Sequence, residues 1–244
     1  MKKVFFICIL IILLISFSLA IEIRYLGHSC FRLEFSSGLS IILDPYSSST
    51  GYPIPKISAD LLISSHEHAD HYNPNFLEKK VDIIVGTKNN GADWNIFEKK
   101  LKDVKIWNIP YYHDEVEGKK RGKNSITVID AEELRIVHLG DLGTILTEKE
   151  IKLIDKVDIL FLPVGGYYTL SQKDALIVIN QLNPKIVIPM HYKTEYTKNW
   201  PISSLDDFLS LAKNFKIVMF ETSTIKISKD KLPKSTEIWV LSYK

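Results

Sequence analysis

A chain of 244 residues, 45% hydrophobic and 25% charged, has an ordinary globular composition and enough length for a large core. Its 31 lysines and arginines nearly balance 29 aspartates and glutamates, giving a formal charge of +2, and the basic residues are spread out, which argues against a nucleic-acid footprint. No Pro/Gly/Ser-rich linker, internal repeat or low-complexity tract divides the sequence, so one domain is expected over 21–244.

Residues 1–20 stand apart. Lys2 and Lys3 precede an apolar run from Val4 to Ile15, and Ser18 and Ala20 are small residues at signal-peptidase spacing. The pattern predicts a secretory signal cleaved after Ala20, hence an exported protein, periplasmic or extracellular. The rival reading is an uncleaved membrane anchor, because the run approaches the ~17 residues that span a bilayer, and a strand pattern already starts at Ile21. Cys8 lies in this leader. The mature chain would then hold Cys30 alone, expected to be a small buried apolar residue rather than a nucleophile.

Strand patterns follow at Ile21–Leu26, Cys30–Phe35, Ser40–Asp44 and Asp60–Ser65, with Ser36-Ser37-Gly38 as a hairpin-like turn. Asn73-Pro74 predicts a helix cap and a short helix to Lys80. Val81–Val85 reads as strand, Ala92–Leu101 as amphipathic helix, and Lys105–Ile109, Ser125–Asp130 and Leu134–His138 as strands. Thr147 to Glu150 and Ser171 to Asp174 have the spacing of capping boxes, the first opening a helix toward Lys156 and the second a helix that Pro184 follows. Ser203-Ser204-Leu205-Asp206 starts the last helix. Asp158–Leu162, Lys185–Ile188, Lys216–Phe220, Thr224–Ser228 and Glu237–Ser242 complete the strands. Two strand-rich runs, each with helices and frequent hairpins, predict two sheets packed face to face with helices outside.

The chemistry concentrates in His66-Glu67-His68-Ala69-Asp70-His71, straight after the apolar run that ends at Ser65. If the segment stays extended, alternate positions point the same way, so His66 and His68 grip one ion while Asp70 and His71, beyond the bend, face a second. The histidines number seven: His28, His66, His68, His71, His113, His138 and His191. His113, His191 and Asp141 each follow an apolar strand where it runs out, the place where sites gather in layered α/β folds. Neutral imidazole and carboxylate suit zinc, manganese or iron, and the set exceeds what one closed structural zinc needs. A solvated histidine-rich loop is the bland alternative. Lys119-Lys120-Arg121 reads as a solvated loop in preference to an anion site.

Six segments in order carry a resemblance: Gly27-His28-Ser29, His66–His71, Tyr112-His113-Asp114, the run from His138 to Gly143, Pro163-Val164-Gly165-Gly166, and Pro189-Met190-His191-Tyr192. With them the sequence resembles the metallo-β-lactamase superfamily from about Ile21 to about Trp200, and more closely the branch that contains ascorbate-phosphate lactonases. The resemblance implies a four-layer αβ/βα sandwich of two mixed sheets with a metal site on the rim. It implies that His66, His68 and His113 hold one divalent ion, that Asp70, His71 and His191 hold another, and that Asp141 bridges them. Zinc is the expected metal, with manganese and iron as alternatives. The implied reaction is attack by a metal-bridged hydroxide on an ester, lactone or similar carbonyl of a small molecule, with Asp70 orienting the nucleophile. Phosphodiester hydrolysis is the alternative, and a non-catalytic metal-bound binding protein of the cell envelope is the alternative of another class, which the filled ligand positions argue against. No nucleic-acid partner is expected, and membrane attachment would run only through residues 1–20.

Other positions carry weaker readings. His138 lies within a strand and is expected to be a hydrogen-bonded core histidine or to support a ligand from behind. His28 is expected near the metals, in a substrate-contacting or supporting role. Asn124, after Arg121-Gly122, resembles a family pattern of basic residue, glycine and asparagine near the cleft, with a plain turn as an equal reading. Tyr167 and Tyr168 either wall the pocket or pack ordinarily. Asp44 reads as a turn residue, with the steering of a ligand histidine as the alternative.

Overall fold

The computed structural model describes residues 19–243; the leader pattern in 1–18 lies outside the described residues. Among the described residues no helix is long and apolar enough to cross a membrane. The chain runs through β1 (Ala20–Tyr25), β2 (Phe31–Glu34), β3 (Ser40–Leu43), β4 (Leu61–Ser64) and β5 (Asp82–Val85), then a small hairpin of β6 (Thr87–Lys88) and β7 (Asp93–Trp94). It continues through β8 (Glu98–Leu101), β9 (Val104–Tyr112), β10 (Lys123–Ala131), β11 (Leu134–His138), α1 (Glu148–Ile154), β12 (Ile159–Pro163), α2 (Gln172–Leu182) and β13 (Ile186–Met190). It ends with α3 (Leu205–Leu211), β14 (Lys216–Met219), β15 (Thr224–Ser228) and β16 (Glu237–Val240).

The strands form two mixed sheets, ordered β15-β1-β2-β3-β4-β5 and β14-β16-β13-β12-β11-β10-β9-β8, which is the expected sandwich. β15 returns from the end of the chain to pair antiparallel with β1, tying the two runs together. Apolar alternation decides the packing. Ile41, Leu43, Leu61 and Ile63 face the large core shared with Ile126, Ile136 and Ile188, while the intervening Ile42 and Leu62 face a second cluster with Cys30, Tyr46 and Phe76. Continuous apolar runs in β3 and β4 follow from covering both faces. Phe31 of one sheet stacks on Phe161 of the other at 3.9 Å and 3°.

Helices α1 and α2 cross over between parallel neighbours of the larger sheet, β11 to β12 and β12 to β13. Their caps match the sequence. The Thr147 side chain accepts from Lys149 N, the Ser171 side chain from Asp174 N, and Ser204 with Asp207 forms a complete capping box. Asn183 closes α2 in a left-handed conformation, with Pro184 next.

Two predicted helices are absent. Asn73–Lys80 is a chain of turns, in which Asn73 spends its side chain on Tyr46 O and Asn75 N while Phe76 pins the segment onto the smaller sheet. Ala92–Leu101 forms β7 and β8 instead of a helix. Its polar and apolar groups are claimed by neighbours: Trp94 Nε1 donates to the carbonyls of Tyr111 and Asn124, Asn95 Nδ2 to Val85 O, and Phe97 N to Asn108 Oδ1. Long-range pairing of β8 with β9 overrides a local helical pattern.

Candidate metal centre

The carboxyl ends of β1, β4, β9, β11 and β13 deliver His28, His66, His113, Asp141 and His191 to one rim of the sandwich. The loop after β4 bends immediately, so His66 and His68 meet across a bend and not along an extended strand; their nearest nitrogens are 3.0 Å apart. A tight turn in which His71 N and Tyr72 N both donate to His68 O swings Asp70 and His71 to the other side. The two sets expected from the sequence are thereby separated, one of His66, His68 and His113, the other of Asp70, His71 and His191, with His28 beside the second.

Asp141 stands between them. Its Oδ2 is 3.0 Å from His113 Nε2, and its Oδ1 is 2.9 Å from His71 Nε2 and 3.4 Å from His191 Nε2. Short as the Oδ1–His71 approach is, neither atom makes a hydrogen bond, and His191 Nε2 is likewise buried without a partner. Buried polar atoms normally find partners, so lone pairs crowded together without hydrogen bonds fit a set of donors aimed at cations. The donors are nitrogen and oxygen only, suited to zinc, manganese or iron. Cys30 is fully buried in the second apolar cluster and takes no part.

The surrounding residues fix these donors. Asp44, with φ 44°, accepts from Ser65 N and Ser65 Oγ at 2.6 Å each, and its Oδ2 lies 2.7 Å from His71 Nδ1. It therefore steers His71 and is not merely a turn residue, leaving Nε2 free to face Asp141. Asn124 lies inside β10, fully buried, and not in a turn: its Nδ2 donates to Leu139 O at 2.8 Å and its Oδ1 accepts from Asp141 N at 3.0 Å. His138 Nε2 donates to Ser29 O at 2.9 Å and Nδ1 accepts from Gly140 N at 3.1 Å, so both nitrogens are used on backbone and the ring packs edge-on against the stacked Phe31 and Phe161. Gly143 has a backbone reason: a Cβ there would stand 2.2 Å from the carbonyl carbon of His113.

His28 and His191 are coupled. Both adopt left-handed backbone, φ 52° and 54°, and His191 N donates to His28 O at 2.8 Å. Such conformations are costly for residues with a Cβ and concentrate at functional sites. His28 Nε2 lies 3.2 Å from Asp70 Oδ2 and its ring 4.2 Å from that of His191, so it touches two donors of the second set.

Electrostatics follow from burying many titratable groups together. Burial alone would raise the Asp141 carboxyl, but His191, His71 and His113 hold it well below the usual range. Burial likewise opposes ionisation of Asp70, while His71 and the bond to His28 hold it low. Burial would lower His71, yet Asp141 and Asp70 push it well above the ordinary imidazole value. His66 is lowered by burial and then by His71 and His113, and His28 is lowered to about 4 by burial and then by His191. The carboxylates thus remain charged and call for positive charge beside them.

A cleft of about 850 Å³ opens above the cluster, lined by His68, Asp70, His113 and Asp141 below and by Lys120, Arg121, Tyr167, Tyr168 and Trp200 around. Tyr167 and Tyr168 thus do wall it. Lys120 and Arg121 were expected in a solvated loop; the loop turns them toward the cleft because Asp114 is fully buried inside it and accepts from the N–H of Val116, Gly118, Lys120 and Arg121. Burial would raise the Asp114 carboxyl, but those four donors hold it below its ordinary value. Sequence reading assigned no role to Asp114 or Trp200. Only the turn glycines Gly118 and Gly122 hinted at a compact loop. Glu67 was also missed: its carboxylate accepts from Gly91 N at 2.6 Å, tying the histidine loop to the β6–β7 turn.

Residues 22–191 match the family described as the Beta-lactamase superfamily domain. A UPF0173 metal-dependent hydrolase of Thermus thermophilus is 30% identical over 198 residues, covering 71% of this chain and 84% of that protein. One from Caldivirga maquilingensis is 29% identical over 198 residues, covering 70% and 82%. The crystal structure of a Thermotoga maritima protein assigned as a zinc-dependent hydrolase superposes with a TM-score of 0.69 at 32% identity, covering 91% of this chain and 98% of that one. In sequence, fold and the placing of its histidines on the rim, the chain belongs to the metallo-β-lactamase superfamily.

Proposed function

We propose that this protein is a metal-dependent hydrolase that works with two divalent ions, zinc first among them, and cleaves an ester, lactone or similar carbonyl bond of a small molecule. The observation that carries the reading is Asp141, whose two oxygens face the two histidine sets separately. His66, His68 and His113 would hold one ion, Asp70, His71 and His191 the other, and Asp141 would span both. Metal ions held there would supply a bound water whose pKa is lowered toward ~7 and a positive charge for the oxygen under attack.

The side chains supply the rest. Asp70 is the partly exposed carboxylate of the second set and lines the cleft, so it is placed to orient the attacking oxygen. Held ionised, it serves poorly as an acid. Asp44 and Asn124 fix His71 and Asp141, and Tyr167, Tyr168 and Trp200 wall the cleft above them. The relatives named metal-dependent hydrolases support the hydrolase part of this reading. Protein stripped of metal and reloaded with zinc or manganese should be screened against chromogenic esters, lactones and phosphodiesters. Metal-dependent turnover of an ester or lactone is expected. Turnover of phosphodiesters alone would replace the carbonyl by a phosphoryl centre, and turnover indifferent to metal would overturn the proposal.

A further inference from the structure

We propose that Arg121 binds an anionic group of the substrate, a carboxylate or a phosphate, at the mouth of the cleft; this rests on the hydrolase reading for calling the ligand a substrate. Three observations carry it. Among the described residues the Arg121 guanidinium has no carboxylate partner, although the cations beside it do: Lys120 is paired with Glu115, and Lys123 lies 3.9 Å from Asp93 and over the Trp94 ring. Its own contacts are two tyrosine faces, Tyr167 and Tyr168, each 5.9 Å from the guanidinium carbon, at the outer limit of cation–π attraction. It lines the cleft that holds Asp70 and Asp141 at its base.

The backbone under this arginine is built, not loose. Arg121 N donates to the buried Asp114 carboxylate at 2.7 Å, Gly122 N to Gly118 O at 2.9 Å, and His113 N to Gly122 O at 3.1 Å. The backbone that carries Arg121 is therefore tied, through three short links, to the strand end that supplies His113. A cation so placed would be stripped of water by a neutral ligand with no return. An anion would instead receive a two-pronged, charge-assisted pair of hydrogen bonds, for which the planar guanidinium is shaped. The ligand would lie with its reactive bond over Asp141 and its charged end against Arg121, flanked by Tyr167, Tyr168 and Trp200.

The test uses the metal-loaded protein and two readouts. The first compares kcat/KM for nitrophenyl esters with a common leaving group and three acyl chains, one neutral, one ending in carboxylate and one ending in phosphate. Wild type should prefer a charged ester, and Arg121→Ala should cut that preference by about 10–100-fold, mainly through KM. Arg121→Lys should restore part of it for phosphate and less for carboxylate. The charged ester with the larger loss identifies the anion. The second readout is calorimetric binding of succinate and of glycerol phosphate to wild type and Arg121→Ala. If affinity falls at least about tenfold in the variant while no ester is cleaved by wild type, the anion site stands and the hydrolase reading fails. Unchanged preference, or unchanged affinity, in a folded Arg121→Ala protein overturns the proposal.

Discussion

The floor and the wall of the cleft are built differently. The floor sits on strand ends: His66, His113, Asp141 and His191 are all 2% exposed or less and lie within about three residues of the ends of β4, β9, β11 and β13. The wall hangs on loops, with Tyr167 61% exposed in left-handed backbone and Arg121 on a turn organised by a single carboxylate. Rigid sheets hold chemistry to tight geometry, and loops vary what is presented to it. The floor should therefore fail abruptly when changed, and the wall by degrees.

The largest expected effect is at Asp141. Asp141→Ala removes a side chain that faces both histidine sets, and on the proposed two-ion reading activity should fall on the order of a thousandfold or more, since two such ions would supply several kcal/mol to the transition state. The fold should survive, as seen by circular dichroism and melting. Less severe is Asp44→Asn, which keeps the shape but weakens the hold on His71. A loss of about 10–100-fold in metal affinity or turnover is expected from such a change behind a ligand, measured by metal titration. An unaltered affinity would mean that Asp44 is a turn residue after all.

Asp114→Ala tests the wall. Four amides lose their acceptor, at a cost of about 1–3 kcal/mol, so the melting temperature should drop by several degrees. Metal affinity should change little, because the loop's amides, not the ligands, are orphaned. A drop in metal affinity as large as that of Asp44→Asn would erase the distinction between floor and wall.

The smallest effect is on acid stability of the metal-free protein. His28, lowered to about 4, and His138, lowered by burial, are neutral in the folded state, whereas an unfolded imidazole titrates near ~6.5. The unfolded chain then binds more protons between those values, so their contribution to stability is full above ~6.5 and is lost as pH falls toward about 4. His71, raised between carboxylates, acts in the opposite sense, so the informative comparison is His28→Asn against wild type. Melting curves between pH 7 and about 4 should fall less steeply for the variant.

The same contrast explains what the sequence made legible. Strand ends and helix caps obey local rules, so β11, β15, the Thr147, Ser171 and Ser204 caps and the gathering of histidines and aspartates on one rim could be read in advance. The Ala92–Leu101 segment was misread because its partners, Val85, Asn108, Tyr111 and Asn124, are distant in sequence or lie on other strands, and no periodicity encodes them. Asp44 looked like a turn residue, and Asn124 as much like one as like a cleft residue, for a similar reason. Their partners, His71 and Asp141, come within reach only when the sheets assemble. Arg121 looked solvated because nothing local shows that Asp114 will fold the loop inward.

The central claim, two ions spanned by Asp141, is tested most directly by counting metal per chain at saturation in wild type, His191→Asn and His138→Asn. His191 faces Asp141 with an unpartnered nitrogen, whereas both nitrogens of His138 are bound to backbone. The account predicts two ions in wild type, one in His191→Asn and two in His138→Asn. A wild-type protein fully active with a single ion, or a His138→Asn variant that loses one outright, would contradict it.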